Sequence, residues 1–178
     1  CSDIDSVIVV VRKEKVDAVW AAAKMFGCQK IEAVVAGGAK RQLSVKRGLD
    51  ETGEDVRIVT VHDGARPCVT PELISETIKV AKRTGAGIAG IEISDTVKFV
   101  EKGRTVSETL DRSKLWAVQT PQSFKRELLL EGFAKVDAEG LTVTDESAAV
   151  ELVSDTVRLV PSSGRNLKIT TIDDLAMA

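Results

Sequence analysis

Short β-branched runs alternating with segments of helical period constrain this chain more than any other feature. Ser6-Val7-Ile8-Val9-Val10-Val11 is continuous rather than alternating, the pattern of a strand buried on both faces of a parallel sheet. Ile31 to Val35 and Arg57 to Val61 repeat it, and Gly87 to Ile93 supplies a further apolar strand. Between these runs the period changes. Val16, Val19, Trp20 and Ala23 recur at helical spacing before Gly27 stops the helix, and Ser44 to Leu49 supplies the next one. Thr70-Pro71-Glu72 opens another with a hydroxyl cap, a proline at the first helical position and an acid matched to the helix dipole. The order βαβαβ predicts an α/β fold: a Rossmann-like open, mostly parallel sheet with helices on both faces, and ligands outside the carboxyl ends of its strands.

Asp95 to Leu110 breaks that rhythm. Thr96 to Val100 alternates, Glu101-Lys102-Gly103-Arg104 reads as a turn, and Thr105 to Leu110 returns, so the segment 95–110 predicts a β-hairpin arm inserted in the parallel fold. Leu115 to Val118 resumes the sheet and Phe124 to Val136 reads as helix. Thr144-Asp145 caps a helix reaching Leu152, Val157 to Val160 is a strand, and a last helix begins near Thr171. No repeat, low-complexity stretch or linker divides the 178 residues, a length suited to one domain with a sizeable core.

Composition removes several classes of function. A net charge of −2 argues against a nucleic-acid coat or an anionic membrane surface, either of which needs a basic face. No apolar run reaches the length of a membrane span, and Cys1-Ser2-Asp3-Ile4-Asp5 has no signal-peptide character, so the chain reads as soluble and intracellular. Cys1, Cys28 and Cys68 are odd in number and unpaired in spacing, which fits reduced thiols better than a disulfide scaffold or a zinc site. No metal-ligand set is expected.

The chemistry that remains sits at predicted strand ends. Neither GxGxxG after a strand nor GxxxxGK[ST] occurs, which lowers dehydrogenase and P-loop readings. His62 is the only histidine, and its plainer role is to position neighbours at a strand end, because a general base needs partners that the sequence does not advertise. Ala36-Gly37-Gly38-Ala39 follows one strand. Paired glycines let backbone N–H groups approach a ligand, although such pairs are commonly ordinary turns. Arg41 and Ser44 come directly after. His62-Asp63-Gly64-Ala65-Arg66-Pro67 follows the next strand and is less ordinary, with an acid, a guanidinium and a rigid proline within a few positions.

Six ordered segments carry a resemblance. They are Gly-Gly-x-x-Arg-x-x-Ser-Val-x-x-Gly-Leu from Gly37 to Leu49, His62 to Pro67, Ser94 to Lys98, Leu110 to Phe124, Thr144-Asp145-Glu146, and Asn166 to Thr170. Together they resemble the 2-C-methyl-D-erythritol 4-phosphate cytidylyltransferase family over essentially the whole chain. The resemblance implies transfer of CMP from CTP to a sugar-alcohol phosphate with release of pyrophosphate, in isoprenoid precursor biosynthesis, in a bacterial cytoplasm or plastid stroma. It puts Gly38, the Ala39 backbone and Ser44 near the cytidine, and Asp63 and Arg66 beside the acceptor's phosphate and hydroxyls. Thr120, Thr144 and Lys168 resemble substrate-phosphate ligands. Thr144 alone would read as a helix cap, and Lys168 as a solvated charge. Thr96 and Arg112 resemble residues that the arm offers across a homodimer, and Asp63, Arg66, Arg112 and Lys168 form the implied catalytic set. Mg²⁺ is implied with the triphosphate, held mainly by phosphate oxygens and water.

The resemblance has a gap. The family's first strand, its arginine-bearing glycine-rich loop and a Pro-Lys-Gln turn have no counterpart, so residues 1–178 read as a single nucleotidyltransferase domain opening at the second strand. Little or no transfer is therefore expected from these residues alone. The segment Asp173 to Ala178 likewise stops a few residues into a helix. A ribitol-phosphate cytidylyltransferase is the nearest rival, with Ala65 and Thr144-Asp145-Glu146 favouring the methylerythritol branch. A non-catalytic nucleotide-binding domain is the alternative from another class.

Overall fold

The computed structural model describes residues 1–177. The element order is β1 (Val7–Val11), α1 (Val16–Met25), β2 (Ile31–Ala36), α2 (Arg41–Asp50), β3 (Ile58–Val61), α3 (Pro71–Thr84) and β4 (Ala86–Glu92). Then follow β5 (Lys98–Phe99), β6 (Glu108–Thr109), β7 (Trp116–Lys125), α4 (Arg126–Ala138), α5 (Glu146–Val150), β8 (Val157–Pro161) and α6 (Ile172–Met177). β1 pairs with β2 in parallel. A four-stranded sheet runs β3-β7-β4-β8, with β7 antiparallel to both neighbours and β4 parallel to β8. Strands β3, β4 and β8 therefore share one direction and β7 alone reverses, so the sheet is mostly parallel.

Side-chain alternation along β4 explains how both faces are covered. Ala86 and Ile88 join Leu49 of α2, Leu129, Phe133 and Val136 of α4, and Ala149 and Val150 of α5 in the buried core. Gly87 points the other way, against α3. A Cβ built there would stand 2.5 Å from the Thr77 carbonyl oxygen and 2.9 Å from Val80 Cβ, so only glycine lets α3 lie so close to the sheet. α3 starts as its sequence requires: the Thr70 hydroxyl accepts from Leu73 N at 3.3 Å, with Pro71 in the first turn.

Three local expectations need correction. Phe124 lies in β7 rather than at the head of a helix, and α4 begins at Arg126. The stretch Gln119-Thr120-Pro121-Gln122-Ser123 lacks a strand's apolar pattern because its polar groups are buried with specific partners. Gln122 donates to Asp145 at 2.9 Å and accepts from Ser147 N at 3.2 Å, while the Ser123 hydroxyl lies 2.9 Å from Thr77 Oγ1 and 2.8 Å from Thr60 Oγ1. Pro121 is tolerated because it falls outside both ladders. The β4 register jumps from Ile88↔Gln122 to Gly90↔Val118, leaving 119–121 as a bulge, and the β3 ladder ends at Val61↔Gln122. Second, Asp145 rather than Thr144 caps α5, accepting from Ala148 N at 3.0 Å, and the helix ends at Val150. Third, the arm is paired over a shorter length than its alternation suggests. Beyond Lys98–Phe99 against Glu108–Thr109 its backbone bonds are Ser107 N to Phe99 O at 2.9 Å and Leu110 N to Val97 O at 3.0 Å.

Candidate active site

The bulge in β7 and the turn after β3 meet because β7 runs antiparallel. Residues just before Gln122 therefore lie just beyond Val61, where the chain enters His62-Asp63. Thr120 sits at this meeting point, 4% exposed. Its hydroxyl oxygen accepts from Asp63 N at 3.0 Å and lies 3.1 Å from His62 Nδ1, while His62 Nε2 lies 3.0 Å from the Arg66 carbonyl. A carbonyl can only accept, so Nε2 carries the ring proton, Nδ1 accepts, and Thr120 donates to it. Burial holds His62 below its ordinary value, outweighing the Arg66 hydrogen bond and the Asp63 charge. His62 thus acts as a neutral brace across the 62–66 turn.

Asp63 is the hub of the charged groups. Lys168 Nζ is 2.9 Å from its Oδ2, Arg41 Nη2 is 3.1 Å from its Oδ1, and Arg66 Nε is 4.0 Å away. Burial pushes the Asp63 carboxyl up, but the Lys168 hydrogen bond and the Arg41 charge and hydrogen bond prevail and hold it below the usual range. Arg41 also donates to Glu146 Oε1 at 2.5 Å. Glu146 is 1% exposed, and burial raises its carboxyl despite that guanidinium. Three cations therefore face two carboxylates across α2, the 62–66 turn, α5 and the segment leading to α6.

Asn166 sets the position of Lys168. Its amide donates to Gln119 Oε1 and to Thr120 O, both at 2.9 Å, and its own carbonyl accepts from Arg66 Nη1 at 2.7 Å. Ile169 N donates to Ala65 O at 2.8 Å, so the residues on both sides of Lys168 are pinned to the site while its ammonium reaches Asp63. Arg66 Nε, Glu146 Oε2 and Asn166 Oδ1 are buried without a hydrogen bond among the described residues. Buried polar groups are ordinarily hydrogen-bonded, to protein or to ordered water.

The glycine segment lies next to this cluster. Gly38 N donates to Ser44 Oγ at 3.0 Å, folding the Gly37-Gly38 turn onto α2. A cavity of ≈ 360 Å³ opens here, lined by Arg12 and Lys13 beyond β1 and by Gly37, Gly38 and Ser44. Ala39 continues the same turn.

The structure therefore joins Asp63, Arg66, Thr120 and Lys168, and sets Gly38, Ala39 and Ser44 beside them. Thr144 is exposed, two residues before Glu146. Thr96 is exposed on the arm, and Arg112 donates to the Ser94 carbonyl; neither is bonded to the Asp63 cluster among the described residues. Glu146, Asn166 and Gln119 are not singled out for the site by the sequence, and Arg41 only as the charge that follows the glycine pair, although all four stand inside the motifs quoted above. Their signal was a charged or amide residue beside a matched position. Among the described residues no group of three or more His, Cys, Asp or Glu is placed to hold a metal, and no helix is long and apolar enough to cross a membrane.

Comparison with known proteins matches this arrangement. The family model for 2-C-methyl-D-erythritol 4-phosphate cytidylyltransferase (IspD) matches residues 1–178. A protein of that name from Alkaliphilus oremlandii is 39% identical over 98% of this chain and 75% of its own length. One from Desulforamulus reducens is 46% identical over 84% of this chain and 64% of its own. The crystal structure of 4-diphosphocytidyl-2C-methyl-D-erythritol synthase from Anaerococcus prevotii superposes with a TM-score of 0.89 at 31% identity, covering 99% of this chain and 79% of that one. A full-length family match, relatives near 40% identity and the shared fold lead to one conclusion: the chain belongs to the 2-C-methyl-D-erythritol 4-phosphate cytidylyltransferase family.

Proposed function

We propose that this chain carries the cytidine- and acceptor-binding surfaces of a cytidylyltransferase that moves CMP from CTP to 2-C-methyl-D-erythritol 4-phosphate in isoprenoid precursor biosynthesis. The observation that carries this reading is the convergence of Lys168, Arg66 and Arg41 on Asp63 beside the Gly38–Ser44 turn. Such a convergence of cations supports a polyanion-binding surface next to a groove whose backbone can approach a nucleotide. An oxygen of the acceptor's phosphate attacks the α-phosphorus of CTP, the bond to the β-phosphate breaks, and pyrophosphate leaves. A phosphate monoester is largely dianionic at neutral pH, so no protein base is required. That agrees with a lone histidine committed to a brace.

The residues then divide by substrate. Gly38, Ala39 and Ser44 face the cytidine. Asp63, Arg66, Thr120, Thr144 and Lys168 serve the acceptor, with Lys168 exchanging part of its bond to Asp63 for the incoming phosphate. Catalysis rests on positioning and on cations meeting the developing charge. Mg²⁺ bound to the triphosphate oxygens would supply counter-charge to them. The site's carboxylates are engaged by Arg41 and Lys168, so no protein ligand is assigned to the metal and no step depends on one. The arm supports a homodimer in which Thr96 and Arg112 complete the partner's site: Phe99 and Val106 are 49% and 52% exposed on a two-stranded ribbon, and such a ribbon needs a surface to pack against.

The test uses the protein encoded by the complete reading frame that contains this sequence. Lys168→Ala raises the KM for the acceptor roughly tenfold or more, since a hydrogen bond to a charged group contributes about 1.5–3 kcal/mol, and leaves that for CTP little changed. Ser44→Ala does the reverse. Equal effects of either substitution on both substrates would overturn this division.

A further inference from the structure

Lys40, Arg41 and Gln42, the N-cap and first two residues of α2, all reach into the 141–146 segment. Lys40 Nζ donates to Thr142 Oγ1 at 3.1 Å, Gln42 Oε1 accepts from Val143 N at 3.2 Å, and Arg41 donates to the buried Glu146 at 2.5 Å. Only the Arg41 contact is buried at its far end, and only Arg41 has a second anionic partner, Asp63, bonded through Nε at 3.4 Å and Nη2 at 3.1 Å. The same turn of α2 presents Ser44 to Gly38 and accepts Ser44 N at the Lys40 carbonyl. One guanidinium fork thus ties the nucleotide-facing turn to the acceptor-facing Asp63 and to the segment bearing Thr144.

We infer that Arg41, clamped by Glu146, is a positioning residue that couples the two substrate subsites, so that occupation of the Gly38–Ser44 groove tightens binding at Asp63 and Lys168, and the reverse. The inference rests on the division of the site proposed above. A guanidinium is suited to this because its planar fork fixes two acceptors in one geometry, whereas an ammonium fixes neither. A shift of the α2 turn when cytidine seats on Gly38 and Ser44 is transmitted to Asp63 Oδ1, whose opposite oxygen holds Lys168. Among the described residues Glu146 Oε2 has no hydrogen-bond partner and Arg41 is the side chain bonded to Oε1, so the clamp has one discrete arrangement to lose.

The experiment is calorimetric titration of the same complete protein with 2-C-methyl-D-erythritol 4-phosphate, with and without saturating cytidine 5′-(α,β-methylene)triphosphate. The wild type should bind the acceptor about fivefold or more tightly when the analogue is present, within the usual range of coupling between sites, and the reverse titration must give the same factor. In Arg41→Lys, which keeps the charge and loses the fork, and in Glu146→Gln, which keeps the shape and loses the anion, the factor should fall towards one while both ligands still bind singly. A residue with only a structural role would lower the melting temperature and leave the factor intact; that result, or a wild-type factor of one, overturns the coupling. Should Arg41→Lys fail to fold, Glu146→Gln decides. If neither ligand binds the wild type, the assignment of function itself fails, and the coupling with it.

Discussion

Replacing Thr120 by valine removes one hydroxyl from the place where the β7 bulge meets the 62–66 turn, and leaves the side chain nearly isosteric. Two half-buried groups then lose their partners: the Asp63 N–H, bonded at 3.0 Å, and His62 Nδ1, at 3.1 Å. Leaving a fully buried donor or acceptor unsatisfied costs about 1–3 kcal/mol; because both groups here are only half-buried, the pair should destabilise the fold by about 2–4 kcal/mol. For a chain of this size that corresponds to roughly 5–15 °C in melting temperature. Thr120→Ser keeps the hydroxyl and is the control. The pH dependence gives an independent reading of the burial of the same ring. His62 titrates below its ordinary 6.5 because burial disfavours the imidazolium. Above about pH 6.5 the ring is neutral in both the folded and unfolded chain and its contribution is whole. As the pH falls below that, the unfolded chain takes up the proton first, and the contribution drains away until the folded-state pKa is passed. Valine leaves that burial in place, so in Thr120→Val the His62 pKa should stay below its ordinary value and the loss of stability on acidification should persist. Urea unfolding followed by circular dichroism measures the first effect, and proton NMR titration the second, where the chain's single histidine removes any ambiguity of assignment. Valine and serine variants of equal stability would refute the brace, and a His62 pKa at or above its ordinary value in the wild type would refute the buried neutral ring.

Gly87→Ala places a methyl 2.5 Å from the Thr77 carbonyl oxygen and should cost about 1–3 kcal/mol in urea unfolding; a loss under roughly 0.5 kcal/mol would show that α3 can retreat from the sheet. Complete proteins carrying Asp63→Ala and Arg112→Ala, each inactive alone, should regain about a quarter of wild-type activity when refolded together, because random pairing gives mixed dimers with both lesions in one site and none in the other. Failure to recover activity in proven mixed dimers would place Arg112 in its own chain's site.

Local pattern determined a good deal of this protein. Continuous β-branched runs announced the strands, although β1, in a two-stranded sheet with β2, is half-buried along its whole length rather than covered on both faces; the Thr70-Pro71 start fixed the head of α3, and the glycine pair and the His62-Asp63 turn stood at strand ends where an α/β sheet places ligands. Those signals are legible because they act over a few residues: helical period, capping and turn chemistry need no distant partner. The β7 bulge and the role of Arg41 are of another kind. Gln122, Ser123 and Thr120 look like loop residues until the Asp145, Thr77 and His62 side chains arrive to satisfy them, and Arg41 gains its meaning from Glu146, 105 positions away. Burying a polar or charged group is unfavourable without such a partner and acceptable with one. Only the tertiary structure supplies the partner, and so only the tertiary structure decided which polar residues of this sequence would be interior and which face of the site each would hold.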